Sequence, residues 1–274
     1  MTNIDKEILE KTHSGNPFAV FLDIDGTMVS ALSSGGVSER LAKAISDAKK
    51  KGHMFFINSG RGHDFVPKKL ISSADFDGIV SGMGSYVTYH GEVVYCSQLP
   101  VEIMKTVLDY CEKNGEYVMF EGVAGTEGHD GRFCYGDSGF FAVESSFNDK
   151  EELLSAISKH YPTKMTTPFY PSDEYAAFLS QYFEMAFMPP YYSEGALIGN
   201  NKGVAIKKVC DYLSLPYENT VAVGDSQNDL GMLSSAGISA AMGNAPDVVK
   251  EKCRIVCDTV ENDGAAKLIE QLFL

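Results

Sequence analysis

The sequence predicts a doubly wound α/β fold: a parallel sheet with helices on both faces, interrupted by an inserted α+β domain. Three observations predict it. Several short apolar runs end in small or polar residues, namely "AVFLDIDG", "MFFINSGR", "DGIVSG", "TVAVGDS" and "RIVCDTV". Each is continuous rather than alternating, the pattern of strands buried on both faces. Helical stripes lie between or beside these runs, and such alternation implies parallel strands joined by crossover helices. The alternation then breaks between about Gly84 and Tyr192, a stretch that holds 12 of the 14 tyrosines.

The elements follow in chain order. Phe18 to Leu22 forms the first apolar run and leads into Asp23, Asp25, Gly26 and Thr27. Leu41, Ala44, Ile45 and Ala48 fall at i, i+3, i+4 and i+7, with Ser38 placed to cap that helix and Gly52 to end it. In the interrupted stretch, "SYVTYHGEVVY" alternates around a His90-Gly91 turn, helical patterns fall near 101–114 and 149–160, and the Pro- and Tyr-rich "FMPPYYSEG" closes it. Ile206, Val209, Cys210 and Leu213 form a further stripe before Pro216, and Pro246 and Asp263 sit where later helices begin. The expected division is a discontinuous core of 1–83 and 193–274 around an insert of 84–192.

Composition narrows the function. The chain has 274 residues, 44% hydrophobic and 22% charged, ordinary for a soluble globular protein with a large core. No apolar run approaches the roughly 18 residues of a membrane span. The start, "MTNIDKEILEKTHSGNP", lacks the basic and apolar regions of a signal peptide, so a cytoplasmic protein is expected. A formal charge of −14 argues against a general nucleic-acid or membrane-surface binder. An anionic ligand must then be met locally, by a metal ion or a few placed cations. The cysteines, Cys96, Cys111, Cys134, Cys210, Cys253 and Cys257, contain no CxxC pair and read as free thiols rather than a zinc site.

Four motifs fall at the carboxyl ends of the predicted strands or at a helix start, where doubly wound sheets gather ligands. They are Asp23-Ile24-Asp25-Gly26-Thr27, Asn58-Ser59-Gly60-Arg61, Asn201-Lys202-Gly203 and Gly224-Asp225-Ser226-Gln227-Asn228-Asp229. Asp23, Asp25, Asp225 and Asp229 supply hard oxygen ligands suited to Mg²⁺, which would also hold mutually repelling carboxylates together. Ser59 and the amides around Gly60 offer a phosphate cradle. Lys202 is a point charge able to neutralise a carboxylate or a transferring phosphoryl group. Residues two apart on a strand share a face, so Asp23 and Asp25 are expected to point to one site if the chain stays extended. Alone, each motif is ordinary: a turn, a cap, a solvated lysine. Their order and shared placement are not.

Together these motifs resemble the haloacid dehalogenase-like (HAD) hydrolase superfamily. More narrowly, they are similar to the Cof-type phosphatases with a large cap of the C2, or type IIB, class between the second and third motifs. "FLDIDGT" resembles the first motif, "NSGR" the second (with Ser59 where Thr is more usual), "NKG" the third and "GDSQNDLGML" the fourth; "AMGNAPDVVKE" and "ENDGAAKLI" add to the likeness. It spans about 18 to 274 and is least informative across the cap.

The resemblance implies a Rossmann-like core and a role for each motif residue. Asp23 would be the nucleophile that forms an aspartyl-phosphate, and Asp25 the general acid and base. Lys202 would neutralise charge on the phosphoryl group. Mg²⁺ would be held by the Asp23 side chain, the Asp25 carbonyl and the Asp225 side chain, with Asp229 ligating directly or through an intervening group. Ser59 and Gly60 would bind phosphate, Asn228 would contact phosphate or orient Lys202, and Thr27 would hold the loop. The substrate would be a small phosphorylated metabolite, a sugar phosphate above all, selected by the cap.

Substrate contacts are sought in residues 121–139, where Glu127, His129, Asp130 and Arg132 are polar. Two alternatives stay open. A phosphotransferase or phosphomutase would need a second phosphate-holding site in the cap, where Lys164 and Arg132 are the available cations. A receiver-type signalling module would also carry a phosphorylatable aspartate, but it needs neither a second acid nor a cap. No GxGxxG or GxxxxGK[ST] pattern supports a nucleotide-binding loop.

Overall fold

The computed structural model describes residues 4–30, 35–124, 131–136 and 145–274. The strands are β1 (Ala19–Leu22), β2 (Met54–Asn58), β3 (Gly78–Ser81), β4 (Tyr86–Tyr89), β5 (Glu92–Cys96), β6 (Val118–Val123), β7 (Arg132–Tyr135), β8 (Ser145–Phe147), β9 (Tyr161–Thr167), β10 (Phe183–Met188), β11 (Tyr192–Leu197), β12 (Thr220–Gly224), β13 (Ile238–Ala241) and β14 (Ile255–Val256). The helices are α1 (Lys6–Thr12), α2 (Glu39–Lys49), α3 (Lys68–Ile71), α4 (Val101–Asn114), α5 (Lys150–Ile157), α6 (Asp173–Leu179), α7 (Lys202–Leu213), α8 (Leu230–Ser235), α9 (Asp247–Lys250) and α10 (Gly264–Phe273).

The first sheet has the order β14-β13-β12-β1-β2-β3-β4-β5. Its first six strands run parallel, and β4 and β5 append an antiparallel hairpin. Both faces are covered, which explains the continuous apolar runs. Along β1, Val20 and Leu22 pack with α1, α2 and α10 on one face, while Ala19 and Phe21 pack with α7 and α8 on the other. Ser38 caps α2 through its side chain, and Leu41, Ala44, Ile45 and Ala48 are its buried stripe. The sequence pattern gave no warning of β13, because "ISAA" offers little beyond small side chains.

The second sheet has the order β10-β11-β9-β6-β7-β8. One face is closed by α4, α5 and α6 around Val118, Phe120, Met165 and Phe183. The other face looks back towards the carboxyl ends of the first sheet's parallel strands. The sheets redraw the expected division. The hairpin β4–β5, which lies past the 83/84 boundary, belongs to the first sheet rather than to the second, because β4 pairs with β3. At the other end, β11 carries the second sheet past 192 to Leu197. Alternation in "SYVTYHGEVVY" marked an antiparallel hairpin correctly but could not say which sheet it joins. Among the described residues, no helix is long and apolar enough to cross a membrane.

Candidate active site

β1 delivers the first two acids, and the chain turns as soon as it does so. The Asp23 amide still donates to the Val223 carbonyl at 3.1 Å, but the Ile24 carbonyl accepts the amides of Met28 and Val29 at 3.0 and 3.1 Å. Gly26 has φ +76°, and a Cβ there would stand 2.1 Å from Asp225 Oδ2, so a side chain is excluded on both counts. The extended geometry that would put Asp23 and Asp25 on one face therefore ends at Leu22. The turn separates them: Asp23 faces Lys202, and Asp25 faces Arg61.

Lys202 opens α7, whose start is capped by the Asn201 side chain accepting the Gly203 and Val204 amides at 2.9 Å. Asn58 Nδ2, at the end of β2, donates to the Lys202 carbonyl at 3.2 Å and ties that helix start to the sheet. The buried Lys202 ammonium donates to Asp23 Oδ1 at 2.7 Å and to Asp229 Oδ1 at 2.6 Å. Asp229 Oδ2 accepts the Asp225 and Ser226 amides, both at 3.0 Å, which folds the fourth motif around that carboxylate. Asp229, not Asn228, is what holds Lys202. The Asn228 Oδ1 instead accepts the Ser226 hydroxyl at 2.6 Å. Thr27 is buried, and its hydroxyl has no hydrogen-bond partner among the described residues; backbone bonds close that loop.

Asp23, Asp225 and Asp229 each bring one oxygen within 4.8 Å of the others. Burial, then Asp229 and more weakly Asp225, push the Asp23 carboxyl up to about 8 against the pull of Lys202. Burial and Asp229 likewise push Asp225 up to about 7. Burial draws the Lys202 ammonium down, but Asp229 and Asp23 more than reverse this and leave it above its ordinary value. Asp225 Oδ1 is buried with no hydrogen-bond partner among the described residues. Three hard oxygen donors, one of them orphaned, fit a hard divalent cation, whose charge would reverse the penalty on the carboxylates. The Asp25 carboxylate lies outside this group.

The acids open onto a cavity of about 510 Å³ between the two sheets. Its near wall is Asp23, Asp25, Ser59, Gly60, Arg61, Asp225 and Asn228; its far wall includes Met119, Glu121, Arg132, Thr166, Tyr192 and Glu194. Lys202 and Asp229 do not line the cavity; Lys202 sits behind Asp23 and holds it, and Asp229 holds Lys202. Ser59 is buried, and its Oγ accepts the Arg61 amide at 3.2 Å. The Arg61 side chain grips Asp25 and lies over the Phe65 ring at 5.3 Å; Arg132, across the cavity, lies over the same ring at 4.2 Å.

Glu127, His129 and Asp130 lie outside the described residues. The stretch 121–139 singled out in the sequence includes Glu121, whereas Thr166, Tyr192 and Glu194 lie outside it and carry no sequence assignment to the site. The available signal was an ionisable or polar residue at alternate positions of otherwise apolar cap strands.

Comparison with known proteins identifies the family. The family profile described as haloacid dehalogenase-like hydrolase matches residues 20–269. The chain is 28% identical over 276 residues to the Bacillus subtilis 5-amino-6-(5-phospho-D-ribitylamino)uracil phosphatase YitU, covering 94% of this chain and 98% of that one. The phosphatase BT1666 of Bacteroides thetaiotaomicron superposes with a TM-score of 0.81 at 22% identity, covering 95% of this chain and 96% of the other. The subclass IIB sugar phosphatase BT4131 superposes with a TM-score of 0.76 at 24% identity, covering 92% and 98%. At such identities the two structures speak for the fold alone, whereas the profile spans the core motifs and the inserted sheet together. The chain accordingly belongs to the haloacid dehalogenase-like hydrolases, in their Cof-type branch, and is a phosphatase of that family.

Proposed function

We propose that the protein is a Mg²⁺-dependent phosphatase of small phosphorylated metabolites, sugar phosphates above all, working through an aspartyl-phosphate on Asp23. The observation that carries this reading is the setting of Asp23. It is buried between the Lys202 ammonium and the orphaned Asp225 oxygen, at the floor of a cavity sized for a small metabolite.

The first half-reaction transfers the phosphoryl group. An Asp23 carboxylate oxygen attacks phosphorus in line, and the bond from phosphorus to the leaving oxygen breaks. Asp25 gives that oxygen its proton, without which an alkoxide leaves poorly. In the second half-reaction Asp25 takes a proton from water, the water oxygen attacks phosphorus, and inorganic phosphate departs with Asp23 restored. Ser59 and the Gly60 amide hold phosphoryl oxygens, with Asn228 alongside. Lys202 offsets negative charge as it builds on Asp23 and the phosphoryl group. Asp23, Asp225 and the Asp25 carbonyl would hold Mg²⁺, with Asp229 behind them; the ion supplies Lewis-acid neutralisation of the phosphoryl oxygens. The sheet carrying β6, β9 and β11 serves as a cap, residues 98–199, that shields the transfer from bulk water.

The cap also favours a phosphatase over a phosphomutase. A second phosphate would need a cation in the cap; Lys164 is already committed to Glu121 and Glu194, which leaves Arg132, stacked over the Phe65 ring, as the cap cation lining the cavity among the described residues. A screen of phosphorylated metabolites with purified protein and Mg²⁺, ranked by kcat/KM and paired with EDTA controls, tests the proposal. Turnover that survives EDTA, or that favours no phosphomonoester over background, overturns it.

A further inference from the structure

The cap wall opposite Asp23 carries a cluster of three ionisable side chains, Glu121, Lys164 and Glu194, that the phosphoryl-transfer steps leave unused. Lys164, on β9, is fully buried. Its ammonium donates to Glu194 Oε1 of β11 at 2.7 Å and stands 3.2 Å from Glu121 Oε1 of β6. The Thr166 hydroxyl donates to the same Glu121 oxygen. Strand register explains the cluster: Glu121 pairs with Lys164 and Glu194 with Thr166, so all four project from one face of the sheet. Burial draws the Lys164 ammonium down, but Glu121 and Glu194 more than reverse this, so it keeps its charge.

The cluster faces the second motif at contact range. A Cβ at Gly60 would stand 2.8 Å from Glu194 Oε2, and one at Gly62 would stand 3.2 Å from Glu121 Cβ. Whatever is attached to a phosphate cradled at Ser59 and Gly60 therefore meets these carboxylates. Carboxylate oxygens accept hydrogen bonds and do not donate them. Two carboxylates against one ammonium leave this cluster with one formal negative charge, in a setting where water screens poorly, while Arg132 stands elsewhere on the same wall. A hydroxyl-bearing leaving group satisfies the cluster. A second anion placed against the cluster is repelled, because the Lys164 ammonium is already engaged by both carboxylates. A site built for such donors also discriminates strongly against groups that lack them.

We propose that Glu121 and Glu194, positioned by Lys164, form a leaving-group subsite. It takes a distal end that is uncharged and rich in hydroxyl donors, and it rejects substrates carrying a carboxylate or a second phosphate there. The proposal rests on the phosphatase reading of the same cavity and names its substrate class.

The test is kcat/KM of the whole protein with Mg²⁺ on glucose 6-phosphate, 6-phosphogluconate, glucose 1,6-bisphosphate and p-nitrophenyl phosphate. Glucose 6-phosphate should exceed both anionic analogues by about tenfold or more, the factor that corresponds to about 1.4 kcal/mol. In Glu194→Gln and Glu121→Gln that ratio should shrink towards one. The change should lie mainly in KM, rising for the neutral sugar and falling for the anionic ones.

A parent ratio of one or less, as binding of the second anion at Arg132 would produce, overturns the subsite. So does an equal loss on all four substrates in the variants, which marks a purely structural role. A parent that turns over none of the four fails the phosphatase reading itself; turnover of p-nitrophenyl phosphate without the preference fails only the subsite. Should a variant not fold, as judged by circular dichroism, competition on the parent decides. Glucose should inhibit p-nitrophenyl phosphate turnover at lower concentration than gluconate, and the reverse order overturns the proposal.

Discussion

Arg61 grips Asp25 through two nitrogens, with Nε 3.1 Å from Oδ2 and Nη2 2.9 Å from each carboxylate oxygen. The contact holds Asp25 at the cavity wall, apart from the three-carboxylate group, and the proposed role as general acid and base is tested there. Asp25→Asn should lower kcat by about 10²–10⁴-fold, the usual worth of general acid–base catalysis, and should let an aspartyl-phosphate accumulate. The check is a pH–rate profile beside the parent; superimposable profiles would refute the acid–base role.

Asp23→Asn should abolish turnover of p-nitrophenyl phosphate while the fold survives. Lys202 retains Asp229, and one of three crowded carboxylates is removed. Circular dichroism and steady-state assay on one preparation decide this. Near-normal activity would remove Asp23 as the nucleophile.

Mg²⁺ should raise the melting temperature, since a ligand that binds only the folded state at 100 times its Kd contributes about 2.7 kcal/mol. Asp225→Asn should lose most of that rise, because it removes a donor oxygen from the cluster. Thermal scans with Mg²⁺ and with EDTA make the comparison. Equal shifts in parent and variant would place the cation elsewhere.

His53 predicts an acid sensitivity remote from the site. It is buried against Phe273, ring centroids 4.2 Å apart, and its Nδ1 accepts the Phe18 amide at 3.3 Å. Burial, with help from Lys51, lowers it to about 4. An unfolded histidine titrates near 6.5. Between these values the unfolded chain binds a proton that the folded one refuses, so stability is full above about 6.5 and declines as pH falls towards 4. Urea midpoints from pH 7 to 4.5 should fall less steeply for His53→Phe than for the parent. Parallel slopes would discount the histidine.

The cap should be separable where the chain crosses between the two sheets. Asn200 donates to Ser97 Oγ at 3.1 Å and accepts the Tyr95 hydroxyl at 2.7 Å, so the two crossings lie side by side. Replacing 98–199 with a short Gly-Ser linker should leave the first sheet intact and retain activity on p-nitrophenyl phosphate while erasing preference among metabolites. Removing 85–191 instead takes away β4 and β5, strands of the core sheet, and should yield insoluble protein. Soluble expression together with a metabolite panel tests both; retained preference in the first deletion would contradict a specificity role for the cap.

The sequence by itself determined the parallel core, because strands buried on both faces must be continuously apolar and their polar ends must gather at one edge. It also determined which motifs meet: Asp23, Ser59, Lys202 and Asp225 are each the first polar residues after a buried strand or at a helix start. Only the tertiary structure decided what each carboxylate does. Asp23 and Asp25 look alike in the chain, and the Gly26 turn sends one to Lys202 and the other to Arg61. Asp229 is a metal-ligand candidate in the sequence, and the fold adds that one of its oxygens takes Lys202 and the other two backbone amides. The Glu121–Lys164–Glu194 cluster was beyond reach, since it joins three strands by register, and register is set by pairing across the sheet rather than by any local run of residues.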